Sequence, residues 1–359
     1  MSEFAFELEL CAHLESVGRP ETADTDIVAR QLGGAVAKPG GRILDIVCVE
    51  PGPAFEDRLA LTSETIPDAA IEADVGPGTA RYWKRAFPDD CHPERAKSAV
   101  ERALEIDFFE ADLRNGRRYV RQVARYPDWY GRIVGIENKP DLGTPGDLEA
   151  QLRTDASLGL VDEAVLATES YVTRAHLNRI PEEIGVWRVS RGERSEGSTA
   201  GALEIEVIRE PTPLAVDEPG VEPLEYQPGH TDIAIVPPER KARTRRRIAE
   251  RAFGKGWRTF RFPDCEACEP TNDGGGETSD AVGDGRPGDS GSGATTPLPF
   301  CQWKGRVVDA ESECGPACPG YKPGAEPEID LETERDRRTP WRRDPSGRRR
   351  RQSGLDQFG

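Results

Sequence analysis

GRIVGIENK at residues 131–139, read together with RILDIVCVE at 42–50, decides the fold. Both stretches are short and rich in branched apolar residues, and glycines precede them, which marks strands. The unbroken apolar run of RILDIVCVE predicts a strand buried on both faces of a sheet. Side chains alternate across a strand, so Asp45 shares a face with Ile43, Val47 and Val49. By the same rule Glu137 and Lys139 share a face with Ile133 and Gly135. A buried carboxylate is costly unless a cation or a metal partners it.

Working outward, Phe4, Leu8, Cys11 and Leu14 recur at helical spacing and place Glu7 on the buried stripe of a first helix. A second helix is expected over Ile27 to Leu32, ended by Gly33-Gly34. Residues 51–130 read as an insertion. Helical patterns near 79–87 and 93–106 precede FFEADLRNGRRYVRQV, in which Asn115-Gly116 signals a hairpin. Helices followed by a basic hairpin suggest a winged-helix-like module. Downstream come the helix DLEAQLRTDASLG with Asp147 or a neighbour as N-cap, strands at 163–168 and 184–189, and a short helix at 171–179. Residues 203–209 alternate as an edge strand should.

The expected fold is α/β: a discontinuous core domain of residues 1–50 and 131–210 with a mixed central sheet, interrupted by the insertion. An extension with a basic helix (211–262), a cysteine-rich module (263–325) and an Arg-rich tail (326–359) follow. Residues 270–298 form a Gly/Ser/Asp linker with too little apolar content to fold, and the tail is expected to be disordered.

Acidic residues outnumber basic ones 65 to 48, for a net charge of −17, and 40 of the basic residues are Arg. An acid-rich, Lys-poor surface suits a salt-loaded cytoplasm, so the expectation is a halophilic cytoplasmic protein. MSEFAFELELCAHLE lacks the features of a secretory leader, and no stretch approaches the ~20 apolar residues of a membrane span. Against this background two blocks stand out: residues 239–261 hold 10 basic and 2 acidic residues, and 334–351 hold 9 and 3. Aromatics interleave with them, Phe253, Trp257, Phe260, Phe262 and Trp341. Arg243, Arg246, Arg247, Lys255, Trp257 and Arg258 are therefore candidate contacts to phosphates and stacked bases. The competing reading makes Phe253, Trp257 and Phe260 the core side of a basic helix.

Cys265, Cys268, Cys301, Cys314 and Cys318 crowd into one region, whereas Cys11, Cys48 and Cys91 are scattered. Cys265-Glu266-Ala267-Cys268 is a knuckle, and such spacings suit Zn²⁺ or an iron–sulfur cluster, with one of the five cysteines spare. No histidine shows ligand spacing, and Ser157 and Ser170 lack a His/Asp constellation. If the strands carrying Asp45 and Glu137 are neighbours, the two carboxylates suit Mg²⁺, which prefers oxygen ligands.

The order of these elements resembles the PD-(D/E)XK nuclease superfamily, including archaeal Holliday-junction resolvases and RecB-type exonucleases. The resemblance makes Glu7 the helix glutamate, Asp45 the strand aspartate, Glu137-Asn138-Lys139 the E-x-K element and Gln151 the polar residue of the following helix. IPEEIGVWRV (180–189) looks like the superfamily's late strand. The chain as a whole also looks like a group of haloarchaeal proteins. About 90 residues separate Asp45 from Glu137, where compact members have a short hairpin, and Pro67-Asp68 spells the literal PD, leaving Asp68 as an alternative aspartate. The resemblance implies Mg²⁺- or Mn²⁺-dependent cleavage of DNA in repair, recombination or defence. It also brings a rival for the cysteines: a [4Fe–4S] cluster held by three C-terminal cysteines and Cys11. A non-catalytic nucleic-acid-binding protein with a zinc module is the alternative function. No membrane partner is expected, and the sequence leaves a homodimer open.

Overall fold

The computed structural model describes all residues except 1, 21, 23–25, 89–90, 145, 193–202, 272–295 and 339–359. Helix α1 (Glu3–Val17) starts where the Ser2 side chain accepts from the Ala5 N–H. Strands β1 (Ile27–Gly33) and β2 (Ile43–Pro51) pair antiparallel. The helix expected over Ile27 to Leu32 is thus a strand. Its apolar residues bury on both faces of the sheet, a pattern that periodicity alone cannot tell from a short buried helix.

The chain then leaves the sheet through α2 (Phe55–Leu59), α3 (Asp68–Glu72), β3 (Arg81–Tyr82), a 3-10 turn at Trp83–Arg85 and α4 (Pro93–Glu105). The helical pattern near 79–87 is realised only as that short strand and turn. Asn115 and Gly116, both at positive φ, close the hairpin of β4 (Phe109–Arg114) and β5 (Arg117–Gln122). These strands form a sheet in the order β3-β5-β4 with its own core, in which Phe108, Phe109 and Val120 meet Val100 and Ala103 of α4.

Strand β6 (Tyr130–Asn138) returns antiparallel to β2. Next come α5 (Leu148–Leu158), β7 (Glu163–Thr168) parallel to β6, α6 (Arg174–Leu177), β8 (Gly185–Arg191) parallel to β7, and β9 (Leu203–Arg209) at the edge. The result is a mixed six-stranded sheet in the order β1-β2-β6-β7-β8-β9. The hairpin β10 (Gly220–Gln227) and β11 (His230–Val236) leads to the long helix α7 (Pro238–Lys255). Short strands β12 (Cys268–Pro270), β13 (Pro299–Cys301) and β14 (Arg306–Val307) make a small antiparallel sheet, followed by α8 (Ala310–Glu313) and α9 (Leu331–Arg338).

Two cores flank the central sheet. Val47, Val49 and Ile133 face Leu152 of α5 and Ile248 and Phe253 of α7. Ile46, Cys48, Val134 and Ile136 face Phe6, Leu10 and Leu14 of α1. Phe260, Phe262, Leu298 and Phe300 close over this second face, so α1 is buried on more than the one stripe its spacing predicts. Part of the tail expected to be disordered is α9, anchored beside this core by Ile329 and Leu331. Most of the linker 270–298, and the tail from 339 with Trp341, lie outside the described residues. No helix among the described residues is long and apolar enough to cross a membrane.

Candidate active site

The β1–β2 pairs Arg30↔Ile46 and Leu32↔Leu44 bracket Gln31 and Asp45. The β2–β6 register, Ile46↔Ile136 and Val47↔Gly135, extended by one step sets Asp45 opposite Glu137. Gln31, Asp45 and Glu137 therefore form one row across three strands. Gln31 has φ 54, rare for a residue other than glycine, and its amide donates to both Glu7 oxygens at 3.1 and 3.0 Å. Backbone conformations of this kind concentrate at functional sites.

Four carboxylates meet around this row. Glu7 of α1 is buried and also accepts from Arg30 Nε at 2.6 Å and from Asn138 Nδ2 at 3.2 Å. Asp45 accepts from the Asn138 N–H at 3.0 Å and Nδ2 at 3.3 Å. Glu137 accepts from Arg42 Nη2 at 2.7 Å. The same guanidinium grips Asp155 of α5 with Nε at 2.9 Å and Nη2 at 2.6 Å. Lys139, just past β6, is paired with the exposed carboxylate of Glu3. Arg42 itself follows the loop between β1 and β2, whose backbone is pinned by Glu222 of β10. That carboxylate accepts from the Val36, Ala37 and Lys38 N–H groups at 2.9, 2.7 and 3.0 Å. Lys255, at the end of α7, caps the Arg30 and Gln31 carbonyls at 3.0 and 3.1 Å.

Burial raises the Asp45 carboxyl to about 6, against the Asn138 N–H, with Glu7 adding to the rise. Burial likewise raises Glu137 to about 7; Arg42 opposes the rise and Asp45 reinforces it. Five acids (Glu3, Glu7, Asp45, Glu137, Asp155) and four cations (Arg30, Arg42, Lys139, Lys255) gather here. Asn138 Oδ1 is buried without a donor, a further oxygen free to accept. These features fit a hard cation at Asp45 and Glu137. As the side chains stand, no group of three or more His, Cys, Asp or Glu among the described residues is arranged as a ready-made metal site.

Of the residues read from the sequence, Glu7, Asp45, Glu137 and Lys139 belong to this neighbourhood. Gln151 sits half-buried on α5, and the α5 side chain that reaches the site is Asp155, one turn later. Asp68 begins α3 in the insertion and pairs with Arg95 at 2.7 Å, outside the acidic cluster. Arg42, Asn138, Gln31 and Asp155 escaped the sequence reading. Asn138 was visible as the middle residue of E-x-K, but nothing local to Arg42 announces a partner 95 and 113 residues away.

The basic helix is largely structural. Trp257 is fully buried with Nε1 on Glu15 at 3.1 Å, and Arg258 is buried against the same glutamate, so neither is available to nucleic acid in this fold. Arg243 and Arg246 share Glu72, Lys255 is spent on the carbonyls of β1, and Arg247 is half-buried. Lys241 and Arg245 of the same helix are buried on backbone carbonyls and Asp162. Exposed cations gather instead on the inserted hairpin. Arg117 lies over Tyr82 and Arg114 over Tyr119, with Arg118, Lys84 and Arg85 exposed beside them.

The C-terminal cysteines are brought together. Cys268 and Cys301 pair across β12 and β13, Cys265 packs against both, and Cys314 lies alongside. Burial and the neighbouring thiols Cys314, Cys301 and Cys265 push Cys268 up to about 12. Burial and Cys301 and Cys265 push Cys314 to about 11. Cys318, half-exposed like Cys314, is not among the side chains packed in this cluster and is the last of the causes acting on Cys314. Cys11 is buried under α1 in the main core, where its charged neighbours are Glu7, Arg30, Cys48 and Glu15 and no C-terminal cysteine.

Residues 27–323 match a protein family described as "Family of unknown function (DUF5787)". No curated protein and no solved structure matches the chain.

Proposed function

We propose that this chain, which belongs to the DUF5787 family, is a divalent-metal-dependent nuclease of PD-(D/E)XK type acting on DNA. The observation that carries the reading is the row formed by Asp45 and Glu137 on adjacent strands, with Lys139 at its end and Glu7 hydrogen-bonded to Asn138 behind it. The order α1-β1-β2-β6-α5-β7, with β1, β2 and β6 antiparallel and β7 parallel to β6, is the arrangement that superfamily uses.

Asp45 and Glu137 would hold Mg²⁺ or Mn²⁺, with Asn138 Oδ1 near enough to the acids to join them. A cation held there would supply activation of a water and neutralisation of charge on the scissile phosphate. Lys139 lies at the open end, tied to an exposed glutamate from which a phosphate oxygen can displace it. Arg42 neutralises Glu137 until a cation arrives, and Asp155 keeps the guanidinium in place. The insertion supports a DNA substrate. Its helix–strand–helix–hairpin order is winged-helix-like, and the hairpin presents Arg117 and Arg118 to solvent. Cys265, Cys268, Cys301 and Cys314 would close around Zn²⁺, stapling a segment too small for a core of its own. A [4Fe–4S] cluster using Cys11 is disfavoured by that residue's place in the main core.

The second reading, a nucleic-acid-binding protein without catalysis, has one observation behind it. Arg42 already bridges Glu137 and Asp155, as a site that had lost its metal would require. Purified protein at high salt with Mg²⁺ or Mn²⁺, offered linear, branched and single-stranded DNA, separates the two. Cleavage lost on chelation supports the nuclease, and binding without cleavage of any substrate supports the second reading.

A further inference from the structure

A cleft of about 210 Å³ separates α7 from the inserted module. Arg240, Arg243 and Arg247 line it from successive turns of α7, and Asp68, Glu72 and Arg95 from the module. Its floor is the loop between β1 and β2, where Arg240 donates to the Val36 carbonyl at 3.1 Å and Arg247 to the Ala35 carbonyl at 3.4 Å. Charge in the cleft is unbalanced. Asp68 is taken by Arg95 at 2.7 Å, and Glu72 by Arg243 at 3.0 Å and by Arg246. Arg240 and Arg247 have no carboxylate partner among the described residues. Arg247 Nε is also buried with no hydrogen-bond acceptor. A buried donor without an acceptor costs the full desolvation of that group. Burial, then Arg251, weakens the hold of Arg247 on its proton, with Asp68 opposing. Elsewhere along α7, Arg245 is matched by Asp162 at 2.8 Å and Arg246 by Glu72.

We propose that this cleft binds a phosphate group, with Arg240 and Arg247 as the two cations that neutralise it. Guanidinium forks match phosphate oxygens two at a time, and a phosphate supplies the acceptors Arg247 lacks. Size narrows the ligand: pockets for whole small molecules start near roughly 300 Å³, so this cleft takes a phosphate or diphosphate without a base. The phosphate belongs either to a nucleic-acid backbone laid across α7 and the module or to a free anion. The inference is independent of the acidic site, because it is tested without divalent metal; loss of one reading leaves the other standing.

The full chain in EDTA is melted with inorganic phosphate and with chloride at matched ionic strength, and titrated against a fluorescein-labelled single-stranded oligonucleotide. Wild type, R247Q and R240Q are compared. R240Q changes an exposed side chain bonded only to a carbonyl, so it remains informative if R247Q fails to fold. The expected result is that phosphate raises the melting temperature of wild type only. Affinity for the oligonucleotide then falls about tenfold in each variant, with a shallower dependence on salt. Loss of the phosphate response alone identifies a free anion as the ligand, and loss of oligonucleotide affinity alone identifies a backbone phosphate. Wild type and R240Q behaving alike in both measurements would overturn the proposal.

Discussion

The Arg42 guanidinium donates to the Glu137 carboxylate at 2.7 Å, across 95 residues of sequence. Burial holds the Glu137 carboxyl at about 7 even with that arginine beside it. If Glu137 and Lys139 act at the phosphate, E137A and K139A should each lower the cleavage rate by on the order of a hundredfold or more. DNA affinity and far-ultraviolet circular dichroism should stay near wild type. Wild-type cleavage rates in either variant would remove that residue from the mechanism.

Asp45 and Glu137 should also make the metal-free protein sensitive to pH. Both hold protons more tightly folded than unfolded, so the folded state binds the extra protons between about pH 4 and 7. Their contribution to stability is therefore greatest in acid and declines as pH rises through about 6 and 7. In EDTA, the melting temperature of D45N should gain on wild type from about pH 4 to pH 6 and then level off. Mg²⁺ should stabilise wild type most at the alkaline end, where both acids are ionised. Parallel melting curves for the two proteins across that range would contradict this assignment.

The C-terminal thiols should hold about one zinc per chain, measured by elemental analysis, as four thiolates close one tetrahedron. C268S, at the centre of the cluster, should lose the metal and lower the melting temperature, while C318S and C11S should keep it. Brown protein bleached by C11S would point to an iron–sulfur cluster. Metal-free protein with every thiol titratable in the native state would rule out both.

Arg58 is fully buried and paired with Glu250 of α7 through Nε and Nη2 at 2.7 and 2.8 Å, with Tyr126 and Trp129 on the same carboxylate. This network fastens the insertion to the core. E250A leaves a buried guanidinium without its anion, and should cost about 3–5 kcal/mol in urea unfolding. An exposed pair such as Arg153–Glu149 should change stability by less than about 1 kcal/mol when broken.

Much of the central sheet was legible because apolar runs and glycine punctuation act locally: β2, β6, α5, β7 and the Asn115-Gly116 hairpin all stand where their residues put them. Strand β1 was not. Ile27, Val28 and Leu32 fit a helical stripe, and the left-handed Gln31 that turns the strand's amide onto Glu7 has no sequence signature. The acids of the candidate site were readable because a charge on an apolar strand face stands out. The cations that hold them were not, since Arg42 and Arg30 find their partners only after folding. Basic α7 misled for the same reason. Its charge is visible in sequence, whereas Glu72 and Asp162, which absorb much of it, lie elsewhere along the chain.

Glu222 and Lys255, which fix the loop before Arg42 and the carbonyls around Gln31, come from the second half of the chain. A growing polypeptide emerging from the ribosome therefore carries Glu7, Asp45 and Glu137 well before it can lock them together. Closing contacts across some 185 to 225 residues is a late event in folding. The row therefore gains the supports of Glu222 and Lys255 only once β10 and α7 have been synthesised and docked.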